Sequence, residues 1–214
     1  MGSPSSSLES LSVKRETSRL ENLADLVFGL ALSVCALSLL GSPPQTQAQI
    51  QTDILWFMFS FMILIHFWAD YSDIMTVLPI ETRATLLLTE VMLFLVVLQP
   101  YLLYLLNQSG RELTEYASTI YALDLGGLMV ISAFFYQQLS IEEKKLAPQE
   151  SLARYRRTRD FHLISAACFF LTILPQFWTI QIGGTPTRYL IWLAPLVVTW
   201  ISRILSWIRA HARR

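Results

Sequence analysis

Residues 84–106 read ATLLLTEVMLFLVVLQPYLLYLL, a run in which Glu90 is the single charge and Thr, Gln and Pro are the other breaks in an apolar and aromatic stretch. An α-helix rises about 1.5 Å per residue and the hydrocarbon core of a bilayer is about 30 Å thick, so about 20 such residues cross it. A helix at the edge of a soluble core keeps one polar face. This run keeps none, and it reads as a membrane span.

Working outward, five more apolar segments flank it: Ala24–Leu40, Ile54–Ala69, Tyr116–Leu139, Phe161–Ile182 and Tyr189–Ile208. The first two are short for a span until interfacial residues such as Asn22, Trp56 and Asp70 are included. Arg203 interrupts the last, and its long stem can carry the guanidinium to the nearer surface. The expected fold is therefore an all-α integral membrane protein of six helices, at about 22–40, 54–72, 84–106, 116–139, 161–182 and 189–208. They form one membrane domain over 20–209, between a Ser-rich tail at 1–19 and a short basic tail at 210–214. Composition agrees, because 15% of the 214 residues are charged and 53% are hydrophobic, whereas soluble domains carry about 25% charge. The leader before the first segment holds Glu9, Glu16 and Glu21, unlike the short basic region of a cleaved signal, so that segment is read as a mature helix.

Charge gives an orientation. Fourteen of the sixteen Lys and Arg residues fall on one side of six alternating spans: Lys14, Arg15 and Arg19 before the first, Arg83 in the second connection, Lys144, Lys145, Arg154, Arg156, Arg157 and Arg159 in the fourth, and Arg203, Arg209, Arg213 and Arg214 at the end. Only Arg111 and Arg188 fall on the other. Cytoplasmic loops hold such an excess, which places both ends of the chain in the cytoplasm. Trp56, Trp178 and Trp192 near the expected outer ends, and Trp68 and Trp207 near inner ends, fit interfacial aromatic belts. Zero net charge offers no basic surface for nucleic acid. Cys35 and Cys168 each lie in an apolar run and read as packing residues, with no disulfide framework.

Catalytic signatures are missing from the sequence: no HExxH, Gly-rich phosphate loop, CxxC or GxSxG. An enzyme is not expected. His66, His162 and His211 lie in different segments without ligand spacing, so no metal site and no cofactor are expected either. Glu90 and Asp124 sit about two turns inside the third and fourth spans. They either hold the bundle together by hydrogen bonding or relay a proton or ion, since a charge in a membrane costs several kcal/mol. Asp25 opens the first span, with Arg19 six residues before it. That span also carries Leu30, Ser33, Val34 and Leu37 at the spacing i, i+3, i+4, i+7, one helical face on which Ser33 is the only hydroxyl. Such a stripe packs against neighbours. Repeated around an oligomer axis it would instead make a narrow apolar constriction, of the kind that gates ions by dewetting. Gly126-Gly127 and Ser132-Ala133 permit close helix approach, and Pro100, Pro175 and Pro195 predict local kinks.

At these residues the sequence resembles a known family. Arg19-Leu20-Glu21-Asn22-Leu23-Ala24-Asp25 is similar to the RxxxFSD signature that opens helix one of the transmembrane protein 175 family of potassium-permeable channels, with Leu23 and Ala24 at the Phe and Ser positions. Ser60-Phe61 followed by Trp68 resembles the family's second helix, with Tyr71 where a histidine is usual. Leu98-Gln99-Pro100-Tyr101 resembles the LxPF end of helix three, and Tyr121-Ala122-Leu123-Asp124-Leu125 a YALNL-like stretch of helix four. The likeness implies a prokaryotic single-repeat, six-helix member in the plasma membrane, assembled as a homotetramer with helix one lining the pore. It implies a passive channel for monovalent cations with modest potassium preference, the permeant ion being its only ligand besides the lipid bilayer. Leu30 and Leu37 would be hydrophobic gate layers, Ser33 a hydroxyl layer favouring potassium, and Arg19, Asp25 and Trp68 a polar network anchoring helix one. A non-conducting or proton-coupled carrier using Glu90 or Asp124 stays open beside it. An intramembrane enzyme would need one site uniting His66, Glu90 and Asp124.

Overall fold

The computed structural model describes residues 4–39, 45–78, 83–108, 111–141 and 149–211. Lys144, Lys145, Arg213 and Arg214, which entered the orientation argument, lie outside the described residues, as do the side chains of Lys14, Arg15, Arg203, Trp207 and Arg209. Seven helices occur in order: α1 (Pro4–Ser38), α2 (Gln47–Met75), α3 (Arg83–Gln108), α4 (Arg111–Ser140), α5 (Gln149–Leu171), the single turn α6 (Gln176–Thr179) and α7 (Thr187–His211). A two-stranded antiparallel hairpin, β1 (Gln181–Ile182) and β2 (Thr185–Pro186), separates the last two.

Among the described residues, four helices contain stretches long and apolar enough to cross a membrane: Arg19–Leu37, Gln47–Met75, Arg83–Asn107 and Leu113–Ser140. These cover the first four expected spans. Helical geometry in α1 reaches back to Pro4, through the stretch read as a tail. At the start of α2, the Thr46 hydroxyl accepts from the Gln49 backbone N–H at 3.2 Å and satisfies one of the orphan donors of the first turn.

The expected helix over 161–182 is corrected. Helix α5 begins at Gln149, through the charged stretch, and ends at Leu171. Pro175 has no N–H to donate and disfavours helical geometry at the residue before it. The chain tightens into i→i+3 bonds, Ile173 N–H to Phe170 O and Leu174 N–H to Leu171 O at 3.2 Å, and then leaves the helix. One helical turn and the hairpin come next, and the hairpin's two-residue loop Gly183-Gly184 has φ of 60° and 81°. Both central residues of a mirror-image hairpin turn need positive φ, which glycine alone adopts freely. Helix α7 contains the expected 189–208, and among the described residues its apolar stretch is Thr187–Ile201.

The bundle is built around α4, which packs against both α3 and α5; α1 lies on α2 and α3, and α7 reaches α5 and α2. In α4's apolar window 67% of residues are buried inside the chain, against 22% for α1, so α4 is the centre and α1 the outermost span. The core joins Phe28, Phe67, Tyr71, Met92, Tyr121, Leu125, Phe135 and Trp192. Gly126 lets α5 approach α4, since a Cβ there would sit 2.5 Å from Cε1 of Phe170. Gly126→Val should therefore cost about 1–3 kcal/mol through overpacking. Thermal unfolding of the purified protein checks it, and an unchanged midpoint would mean that the Phe170 ring simply swings aside.

Candidate functional site

Helix α1 has two faces, and they differ sharply. Ala24, Phe28, Ala31 and Cys35 are buried at i, i+4, i+7 and i+11, the inward stripe of a helix seated on its neighbours. Phe28 meets Tyr71 of α2 with ring centroids 6.5 Å apart, and the Cys35 thiol lies 3.0 Å from the Ser60 hydroxyl. Opposite them, Leu30, Val34 and Leu37 are 57%, 50% and 61% exposed, and Ser33 is exposed beside them. The four residues singled out in the sequence do share one face, and among the described residues of the chain it is left largely uncovered. Leu23 and Leu26 continue the same edge toward the start of the helix; running the spacing backward from Leu30 would have found them. The Ser33 hydroxyl donates to the Gly29 carbonyl at 2.8 Å, which leaves its oxygen lone pairs on the exposed side.

The polar group at the entry of α1 is assembled in part. Trp68 Nε1–H donates to Asp25 Oδ1 at 2.8 Å, tying α2 to α1. Arg19 is exposed and takes no part in that bond. Tyr71 is buried and packs between Phe28 and Phe135.

The two acidic residues deep in the spans are not brought together. Asp124 is buried, and the Gln99 side-chain amide donates to its Oδ2 across α3 and α4. Glu90 lies on the exposed edge of α3 among Leu86, Leu87, Val91 and Phe94. An edge of exposed apolar side chains is thus not unique to α1, as expected of helices that meet lipid or other subunits. What separates the α1 edge from that of α3 is that it carries a lone hydroxyl, Ser33, where α3 carries Glu90.

Trp178 and Trp192 correct the reading as belt residues: both are buried. Trp192 Nε1–H donates to Thr172 Oγ1 at 3.0 Å. Beside it, Arg188 is 1% exposed and the most heavily bonded side chain of the bundle. Its Nε donates to Thr172 O at 2.6 Å and Nη2 to Ile173 O at 3.2 Å, where the end of α5 leaves carbonyls free of helix bonds. Its Nη1 reaches Ser118 and Thr119 of α4, and the guanidinium lies 5.7 Å from the Trp178 ring. Sequence reasoning placed Arg188 as one of two outward basic residues and missed this role, because the broken end of α5 that it serves was itself hidden in a continuous apolar run.

The separation of the histidines is also corrected. His66 and Asp70 of α2 meet His162 of α5, all three buried.

Residues 19–100 match the sequence profile of the family described as endosomal/lysosomal potassium channel TMEM175, a stretch that holds the α1 edge, Asp25, Trp68 and Glu90. The crystal structure of a lysosomal potassium-selective channel TMEM175 homolog from Chamaesiphon minutus superposes with a TM-score of 0.60 at 18% identity, covering 90% of this chain and 98% of that one. No curated protein matches by sequence. The likeness to the transmembrane protein 175 family therefore holds, in sequence over the first three long helices and in fold over nearly the whole chain. With its four long apolar helices, the chain is a multi-pass membrane protein.

Proposed function

We propose that several copies of this chain, four by analogy with the channel family, assemble around an axis with α1 innermost and form a passive pathway for potassium and other monovalent cations. The observation that carries the reading is the uncovered edge of α1: a row of leucines and a valine interrupted by one hydroxyl, on the helix that is least enclosed by its own chain. Rings of Leu30, Val34 and Leu37 would form a constriction that empties of water and blocks ions when narrow. A ring of Ser33 hydroxyls between them would offer oxygen to a partly dehydrated cation. The five long helices α1–α5 and helix α7 would cross the plasma membrane, with both ends in the cytoplasm as the excess of basic residues on that side suggests. Asp25 and Trp68 would fix the entry of α1, with Arg19 near the headgroups.

The carrier alternative would work through Glu90 or Asp124: Asp124 is enclosed with Gln99 and Glu90 lies on the outer edge of α3, and flux measurements on variants of each separate the two readings.

Two measurements test this. The purified protein should run as a multimer in lipid nanodiscs, and liposomes containing it should dissipate a potassium gradient without saturating as potassium is raised. A strict monomer leaves no axis for α1 to line and would sink the proposal. Saturable flux abolished by Glu90→Gln or Asp124→Asn would replace it with the carrier.

A further inference from the structure

Where α2 meets α5, three side chains with metal-binding chemistry converge. His162 Nε2 stands 2.8 Å from Asp70 Oδ2, and His66 Nε2 stands 3.9 Å from the same oxygen. One ligand atom from each residue lies within 4.8 Å of the others. The two imidazoles are nearly parallel, 9° between planes with centroids 6.2 Å apart, and all three residues are at most 5% exposed.

The hydrogen-bond geometry here suits a positive species. His162 Nδ1 lies 2.8 Å from the Thr158 carbonyl. A carbonyl oxygen only accepts, so Nδ1 carries a hydrogen and the neutral ring then presents a bare lone pair at Nε2. That lone pair faces a carboxylate oxygen at hydrogen-bond distance, an arrangement that repels unless a cation sits between the two. A proton can satisfy one imidazole–carboxylate pair. A metal ion would engage both imidazoles and the carboxylate together, whose ligand atoms lie within 4.8 Å of one another, and it would offset the cost of burying the Asp70 charge. The carbonyl behind Nδ1 is also the partner that metal-ligating histidines commonly have, fixing the tautomer and aiming the ring.

We propose that His66, Asp70 and His162 form a buried site for one zinc-class transition-metal ion, clamped between α2 and α5. Zinc bonds nitrogen and oxygen at about 2.0–2.2 Å, which sets tetrahedral ligand edges near about 3.4 Å. The 2.8 Å edge must open and the 3.9 Å edge close by about half an ångström each. Two imidazoles and a carboxylate suit zinc, cobalt and nickel, whereas magnesium and calcium prefer all-oxygen shells. Three protein ligands leave a fourth position for water. The site lies on α2 and α5, away from the exposed edge of α1, so it stands or falls independently of conduction.

The test uses the tag-free, full-length protein in detergent, stripped with chelator, incubated with zinc chloride and desalted. Mass spectrometry should then find one zinc per chain, and cobalt(II) should give the visible absorption of a four-coordinate nitrogen–oxygen site. His66→Gln and His162→Gln should each weaken zinc retention by about tenfold or more. Zinc chloride should raise the melting temperature of the parent protein by mass action and leave that of both variants unmoved, while magnesium chloride moves neither. Should one variant misfold, Asp70→Asn takes its place. A folded parent that retains no zinc overturns the site. So does equal retention in folded variants, or an equal thermal shift from magnesium.

Discussion

Exchanging Leu30 and Leu37 together for asparagine should raise potassium flux through the reconstituted protein by about tenfold or more, because each 1.4 kcal/mol removed from a barrier is a factor of about ten in rate. The barrier is the reluctance of water to fill a ring of isobutyl groups, and an amide in place of each offers hydrogen bonds that keep the constriction wet. Both positions are exposed, on the face away from Phe28 and Cys35, so the exchange leaves the seat of α1 on its neighbours untouched. Each single variant should give part of the effect. Ile164→Ala, an exposed apolar position on α5, should leave the flux at its parental value. Liposome flux and single-channel recording read the result. If the double variant assembles normally and conducts as the parent does, this edge does not line the pathway.

Arg188→Met should be the most destabilising single substitution in the bundle. It removes the donor for the Thr172 and Ile173 carbonyls and for the Ser118 and Thr119 hydroxyls. A buried acceptor left unmet costs about 1–3 kcal/mol, and the two carbonyls have no helix donor to return to, because Pro175 ends the pattern. Arg188→Lys should recover only part, since an ammonium cannot span the positions that a planar fork reaches. Melting of the detergent-solubilised protein, followed by tryptophan fluorescence or by size-exclusion of heated samples, would register a loss of several degrees for Met and less for Lys. A shift for Met below about 2 °C would show that water replaces the guanidinium.

How legible was this molecule in its sequence? The first four long helices and the shared face of Leu30, Ser33, Val34 and Leu37 come from length and the 3.6-residue period alone, since both are local properties. Phe161–Ile182 misled because hydropathy does not register a backbone that turns: the run stays apolar past Leu171 while Pro175 and Gly183-Gly184 redirect it. Trp192 shows the same gap, as its place in the chain suggested an interface and its neighbours make it core. The His66–Asp70–His162 cluster was hidden for another reason. Asp70 and His162 are 92 positions apart, and no spacing rule joins residues that only tertiary packing brings together. Asp70 one turn after His66 was the sole local hint.

Helix α5 is fastened by directional bonds near its middle, through His162 to α2, and just past its end, through the Thr172 and Ile173 carbonyls to Arg188, and Arg188 in turn grips α4. By contrast, α1 is held by greasy contact, the Cys35–Ser60 touch and the Asp25–Trp68 bond. Oily surfaces slide over one another at little cost, whereas hydrogen bonds resist shear. If α1 lines the pathway as proposed, a change of aperture would come more readily from this helix shifting against its neighbours than from α5 moving against α2 and α4.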